Sequence, residues 1–336
     1  MASKKRLILS IDGGGIRGII PGQFIVKMEE AFKINVAEEF DLCAGTSTGG
    51  ILTCAYLFPN GSSGPKYTSE EVVDLYLKNG DKIFDIPFFH KIRSLGGVSD
   101  EKYPSDGIEG ILNTYFGDIW LKDLLKPTVI TSYDILRRKG HFFKQQKAVN
   151  SPDYNFKVKD VARATSAAPT YFECAKITNE LGGSAEENKF PLIDGGVFVN
   201  NPALAAYAEG RNILKNDDDS DCTAKDMKIL SLGTGFTRKP YHYDKAKNWG
   251  MAQWVQPVID VMMSGGAEVA DYQLKAIYDS VDEPEQYLRA NIDLKDYGSV
   301  DPDIDNATQE NMEQLQEVGN AMFESHRDQL ERWLEL

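Results

Sequence analysis

The chain has 336 residues, of which 42% are hydrophobic and 26% charged, and its formal net charge is −14. This length is ample for a hydrophobic core in one large or two small domains. So acidic a surface disfavours a nucleic-acid partner, and any membrane contact has to be local and apolar. The four cysteines are widely scattered, which is typical of reduced thiols in a cytoplasmic protein.

Strand-like and helical patterns alternate along the chain. The predicted strands are 6–11, 40–45, 127–135, 190–193 and 227–233. The first helix is predicted to begin near Pro21. This alternation predicts an α/β fold with a mostly parallel sheet between two layers of helices. We expect a single domain over residues 1–336, with a C-terminal helical part (about 249–336) packed on the rest.

A glycine-rich loop follows the first predicted strand. Gly13, Gly15 and Gly18 satisfy the G-x-G-x-x-G pattern of dinucleotide-binding loops. A Rossmann fold also needs an acidic residue that ends a second strand about 20 positions later. The acidic residues in 38–41 precede the second strand instead, so the dinucleotide hypothesis fails and no cofactor is expected.

A second sharp turn follows the second predicted strand. It matches G-x-S-x-G through Gly45, Thr46, Ser47, Thr48 and Gly49. A turn of this kind lifts a serine Oγ clear of the backbone, and the following helix N-terminus favours developing negative charge. A helix-capping serine is the structural alternative. The strand–turn–helix context favours Ser47 as a nucleophile.

A serine nucleophile needs a base. The histidines are His90, His141, His242 and His326, all in ordinary contexts. Asp194 ends a short apolar strand and precedes Gly195 and Gly196, where an open α/β sheet presents functional groups. An Asp-Gly turn without a catalytic role is the alternative.

Four sequence blocks in this order resemble the signatures of patatin-like phospholipases. They are SIDGGGIRGIIPG (10–22), FDLCAGTSTGGI (40–51), ARATSAAPTYF (162–172) and LIDGGVFVNNP (192–202). The family comprises lipid acyl hydrolases related to the cytosolic phospholipase catalytic domain. The resemblance implies a three-layer α/β/α fold and signature blocks within about 6–235.

The resemblance also implies a Ser–Asp dyad, with Ser47 as nucleophile and Asp194 as base, the latter supported by Gly195 and Gly196. Catalysis is expected to need no metal.

The oxyanion hole is expected in the first loop, with Arg17 nearby and the amides of Gly13, Gly14 and Gly15. Losing one donor of such a hole typically costs about 10²–10³ in rate.

The resemblance implies phospholipid or galactolipid acyl esters as substrates and transient contact with a membrane surface. The segment 86–92 and the helix around Trp249 and Trp254 are candidates for an apolar rim, with core packing as the alternative. Two acidic runs, 217–221 and 301–306, lack the residues that an EF-hand needs at its sixth and twelfth positions and are interpreted as solvated loops.

Other hypotheses remain open at this point. Ser47, Asp194 and His242 stand in the chain order of an α/β-hydrolase triad. An acyltransferase would also need a catalytic histidine. The framework could belong to an idle binding protein, or to an effector with low basal activity that a ligand switches on.

Overall fold

The computed structural model describes residues 4–83, 105–182 and 186–336. Within these ranges eight strands form one sheet. The strands are β1 (Arg6–Ile11), β2 (Leu42–Thr46), β3 (Thr128–Asp134), β4 (Lys139–Lys144), β5 (Ala175–Thr178), β6 (Lys189–Asp194), β7 (Met227–Leu232) and β8 (Tyr287–Ala290). Their order is β5-β6-β3-β2-β1-β7-β8, and β4 also pairs with β3.

The centre of the sheet is parallel. β1 pairs in parallel with β2 and β7, β2 with β3, and β7 with β8. β4 and β6 run antiparallel to β3, and β5 antiparallel to β6. The predicted mostly parallel sheet is therefore confirmed, although β4, β5 and β8 were not anticipated.

Helices cover both faces of the sheet. They are α1 (Ile19–Phe32), α2 (Val36–Glu39), α3 (Thr48–Tyr56), α4 (Ser69–Ile83), α5 (Ser105–Phe116), α6 (Gln145–Asn150), α7 (Val158–Thr165), α8 (Ala203–Ile213), α9 (Tyr243–Ala246), α10 (Met251–Asp279) and α11 (Gln309–Leu334). Alternate residues of β1 enter two separate cores, with Leu9 in the larger core and Ile8 in the smaller. This alternation is what a strand buried on both faces requires, and it confirms three layers.

The C-terminal part joins the fold through both a helix and a strand. Met312, Leu315, Val318 and Met322 on α11 are buried, and α11 packs on α1. Residues 249–336 also supply β8 to the sheet, so this part is not purely helical as the sequence suggested. The predicted apolar segment 86–92, with His90, lies outside the described residues.

All four cysteines carry free thiols. Among the described residues, the helices that are long enough to cross a bilayer are too polar to do so.

Candidate active site

The turn between β2 and α3 holds its serine in an unusual backbone conformation. Ser47 has φ 54° and ψ −123°, a sparsely populated region that costs about 1–3 kcal/mol and clusters at functional sites. The flanking glycines are needed for close approach. A Cβ on Gly45 would lie 2.2 Å from the carbonyl oxygen of Gly49, and one on Gly49 would lie 2.1 Å from that of Ile11.

The Ser47 side chain does not cap the helix that follows it. Its hydroxyl makes no capping hydrogen bond to α3. Instead, Ser47 lies in the wall of the same small cavity as Asp194, close enough for its hydroxyl to lower the pKa of that carboxyl. The Ser47 amide donates to Thr165 Oγ1 (2.8 Å), and that hydroxyl in turn donates to the carbonyl of Thr131 (2.7 Å). The alternative of a simple capping serine is therefore wrong, and three elements fix the turn.

The sheet register explains why residues so distant in sequence meet. β4 pairs with one edge of β3 over Val129–Asp134. β2 and β6 share the other edge of β3. Thr46 of β2 pairs with Thr131, and Asp194 of β6 pairs with the next residue, Ser132. The carboxyl ends of β2 and β6 therefore face each other along one edge. Asp194 lies at a strand end, as expected, but the strand is antiparallel to β3.

Burial controls the chemistry of Asp194. The residue is 5% exposed, and burial raises the pKa of its carboxyl to about 7, against the lowering by hydrogen bonds from Ser47 and the Gly196 amide. The Gly196 amide lies 2.7 Å from Asp194 Oδ1. A Cβ on Gly195 would lie 2.1 Å from Thr131 Oγ1, so the tight turn after β6 needs glycine there. A carboxylate with this pKa can act as a general base near neutral pH.

The first glycine loop lies beside the serine. The Gly13 amide donates to the carbonyl of Asn200 (3.1 Å), so it is not available to an oxyanion in this conformation. The amides of Gly14 and Gly15 have no acceptor within the described part of the chain. Gly15 has φ +59°, and a Cβ there would lie 2.1 Å from the carbonyl oxygen of Ile304. The oxyanion hole stays a prediction, and in this conformation the amides of Gly14 and Gly15 are the ones available to it.

Arg17 lies in the short helical turn Gly15–Gly18, at the end of this loop. Its Nε is buried without a hydrogen-bond partner in the described part of the structure. Burial lowers the pKa of its guanidinium, and the carboxylates of Asp260 and Asp303 oppose that shift. Arg17 lines a cavity that adjoins the serine pocket, and it is not part of the wall around Ser47 itself.

Two cavities meet at the site. The smaller one, of about 60 Å³, is mainly apolar and contains Ser47, Asp194 and Gly15 in its wall. The larger one, of about 960 Å³, has charged side chains of both signs in its wall, and Tyr171 and Met263 border both cavities. The small cavity beside Ser47 is therefore apolar, whereas the larger cavity next to it is lined in part by charged side chains.

The described histidines stand apart from this pair. His242 is exposed and lines neither cavity. His141 packs against Phe143, Phe156 and Phe190, and burial lowers its pKa to about 4. His326 lies on α11 and hydrogen-bonds the carbonyl of Met322.

Three residues that help to build the site were not found from the sequence. Thr165 accepts a hydrogen bond from the Ser47 amide, and the carbonyl of Asn200 accepts one from the Gly13 amide. Arg289 forms an ion pair with Asp12. Thr165 and Asn200 lie inside the quoted blocks, which is the only signal that pointed to them. Arg289 lies 277 positions from Asp12, and nothing in the local sequence links the two.

No cluster of three or more His, Cys, Asp or Glu side chains suited to a metal ion occurs in residues 4–83, 105–182 and 186–336. The run 217–221 forms a polar turn, in which Asp218 accepts hydrogen bonds from Ser220.

The three-layer fold places a serine on a strained strand-to-helix turn and a buried aspartate in the wall of one cavity, an arrangement typical of hydrolases. The family model for patatin-like phospholipases matches residues 9–207. Patatin-like protein 3 of Arabidopsis thaliana is 36% identical, over 94% of this chain and 80% of its own length. Patatin-17 of Solanum cardiophyllum is 31% identical, over 94% of this chain and 83% of its own length.

The chain belongs to the patatin-like phospholipase family, which confirms the resemblance seen in its sequence blocks. Membership supports activity as a lipid acyl hydrolase. The solved structure of VipD from Legionella pneumophila covers 95% of this chain and 67% of its own, with 12% identity and a TM-score of 0.35, too distant a likeness to inform function.

Proposed function

We propose that the protein hydrolyses fatty-acyl esters of phospholipids or galactolipids through an acyl-enzyme, with Ser47 as nucleophile and Asp194 as general base. The observation that carries this proposal is that the strained, buried Ser47 shares a cavity wall with Asp194, whose carboxyl has a pKa that burial raises to about 7 and that the Ser47 hydroxyl lowers in part. A nucleophile and a base within hydrogen-bond reach, at the wall of an apolar cavity, are the parts that acyl transfer requires.

The reaction begins when Asp194 takes the Ser47 proton and Oγ attacks the ester carbonyl carbon. The carbonyl oxygen becomes an oxyanion, which the free amides of Gly14 and Gly15 stabilise. Collapse of the tetrahedral intermediate breaks the ester C–O bond, and the leaving alkoxide takes the proton from Asp194. A water molecule, deprotonated by the same carboxylate, then attacks the acyl carbonyl carbon. Collapse of this second intermediate breaks the bond to Ser47 Oγ, which takes the proton back from Asp194, and the fatty acid is released.

The two cavities suggest how a lipid ester is placed. The apolar wall near Ile51, Ile108 and Val197 suits the ester carbonyl and the first methylenes of the acyl chain. The larger cavity has the volume for the polar end of the lipid, because binding sites of about 300–1,000 Å³ hold ligands of comparable size. Since such substrates reside in bilayers, the enzyme acts at a membrane surface.

A histidine-assisted triad is the competing mechanism. His242 is exposed and lines neither cavity, which favours the dyad. The same observation argues against an acyltransferase that depends on this histidine. An idle binding framework is disfavoured, because Ser47, Asp194 and two free loop amides are all in place.

The test is mass spectrometry of the products that the purified protein releases from a mixed-lipid extract. Ser47→Ala and Asp194→Asn should each lower fatty-acid release by about 10³-fold or more. His242→Ala is the matched control and should retain wild-type turnover. Circular dichroism and thermal unfolding establish that each variant is folded. Near-normal release by folded Asp194→Asn, or collapse in His242→Ala, would reject the dyad.

A further inference from the structure

The outward face of α10 carries a row of apolar side chains that remain exposed among the described residues. We call this row the apolar stripe; its members are Met251, Val255, Val258, Met262 and Val269, between 43% and 89% exposed. They are spaced four, three, four and seven residues apart, which places them on one face of the helix.

The stripe is not the face that α10 uses for its own packing. Leu274 and Tyr278 lie on the opposite side of the helix and are fully buried, with the Tyr278 hydroxyl bonded to the carbonyl of Met227. A soluble helix normally presents polar residues opposite its packed face. A contiguous exposed apolar patch therefore marks an interaction surface.

The chain next to the stripe has a charge opposite to that of the molecule as a whole. The whole chain carries −14, yet residues 238–259 contain four cations and a single acid, Asp244. The cations are Arg238, Lys239, Lys245 and Lys247, all of them exposed. This local basic segment, which we call the basic flank, is complementary to an anionic lipid surface.

Aromatic side chains connect the basic flank to the stripe. Tyr241 contacts Trp249 and Trp249 contacts Trp254, with ring centroids 5.4 and 5.1 Å apart. Tyr243 is 77% exposed and Trp254 40% exposed. Tyrosine and tryptophan favour the boundary between bilayer and water, where the ring is apolar and its polar atom is hydrated.

The same helix borders the candidate active site. Ile259 and Met263 line the small cavity with Ser47, and Met263 also lines the larger one. A surface that meets the stripe would therefore contact the helix that forms part of the wall of the catalytic pocket.

We propose that the apolar stripe and the basic flank form the docking surface through which the protein binds a phospholipid bilayer, preferentially an anionic one. The biological purpose of this docking rests on the proposed lipid hydrolase function, but binding itself does not require catalysis. The stripe inserts into the interface, while the basic flank approaches the headgroups.

The test is flotation of the full-length Ser47→Ala protein with vesicles, since this variant leaves the lipids intact. Vesicles of phosphatidylcholine mixed with phosphatidylglycerol should bind it more strongly than pure phosphatidylcholine. The triple variant Met251→Gln/Val258→Gln/Met262→Gln should weaken binding to both vesicles by about tenfold or more. Lys245→Gln/Lys247→Gln should lose only the preference for phosphatidylglycerol.

The matched control is Leu136→Gln/Val149→Gln, which changes side chains that are 56% and 54% exposed and line neither cavity. It should bind vesicles as the parent does. If the stripe variant binds equally well, the docking surface is wrong. If sedimentation shows a dimer that the stripe variant abolishes, a second copy of the chain occupies the stripe, and the proposal is likewise overturned.

Hydrolysis of a short, water-soluble ester separates this proposal from the proposed function. With Ser47 restored, the stripe variant should turn over that ester at the wild-type rate. If the wild type hydrolyses no ester, the proposed function fails, whereas flotation still decides whether the stripe docks on lipid.

Discussion

At the scale of single residues, the proposed role of Asp194 as general base predicts how activity depends on pH. Its pKa is raised to about 7 because burial disfavours the charged form. Only the ionised carboxylate can take the Ser47 proton, so kcat/KM should rise with pH and level off above neutrality. At pH 5 the ionised fraction, and with it the rate, should be about a hundredfold below the plateau.

The measurement is a pH–rate profile with a soluble ester, together with the same profile for His242→Ala. An unperturbed histidine titrates near pH 6.5, so the position of the limb alone does not separate the two bases. An unchanged profile in His242→Ala supports Asp194. If the rising limb of the pH–rate profile disappears in this variant, or if it lies near pH 4, Asp194 is not the general base.

The residues proposed to carry the chemistry could be named from the sequence, whereas the residues that contact them mostly could not. Ser47 and Asp194 stand in short blocks whose glycines are required locally: the Cβ distances at Gly45, Gly49 and Gly195 show why. The Gly13 amide donates its hydrogen bond to the carbonyl of Asn200, which lies 187 positions away in the sequence. Contacts of this kind exist only once the sheet has formed.

At the scale of elements, one ion pair joins the carboxyl ends of three neighbouring strands. Arg289 on β8 donates to both carboxylate oxygens of Asp12, which follows β1, and also to the hydroxyl of Ser231 on β7 (2.8 Å). Asp12 is 3% exposed. Removing one member of a buried pair leaves an uncompensated charge and costs about 3–5 kcal/mol.

We therefore expect Arg289→Met to lower the free energy of unfolding by about 3 kcal/mol or more. Asp12→Asn/Arg289→Met removes both charges and should recover part of that loss. Urea unfolding of the two single variants and the double variant gives the coupling energy. Simple additivity of the single losses would show that the pair does not couple β1 to β8.

The strands show which elements the sequence could predict and which it could not. The continuous apolar runs of β1, β2 and β7 are typical of strands buried on both faces, and each was predicted. β5 and β8 have four residues each, too short for a periodic pattern. β4, KGHFFK, is largely half-exposed and lies at an edge, so its polar residues made it resemble a loop.

At the scale of the whole molecule, the C-terminal part supports the first glycine loop from a distance in sequence. The Ile16 amide donates to the carbonyl of Ile304 (2.8 Å), just before α11 begins. α11 then packs along α1, the helix that leads away from the same loop. The sequence predicted a C-terminal helical part packed on the rest of the domain, but nothing in it identified α1 as the surface on which α11 packs.

The two helices approach each other closely at Gly319. A Cβ there would lie 2.7 Å from both the carbonyl oxygen of Ile20 and Cβ of Gln23. The Ile20 carbonyl oxygen belongs to the backbone of α1, so it can move away from such a Cβ only if α1 and α11 separate. Gly319→Ala should therefore lower the free energy of unfolding by about 1–3 kcal/mol, the usual cost of overpacking, even though alanine is the better helix former.

Gly110→Ala on α5 is the same substitution without the collision, since nothing lies within 4 Å of its Cβ position. There the helix propensity acts alone, and stability should rise by about 0.5–1 kcal/mol. Urea midpoints of the two variants should move in opposite directions from the wild type. If both rise, α11 does not pack tightly on α1 in solution, and the C-terminal part does not brace the glycine loop in the way the Ile16–Ile304 hydrogen bond indicates.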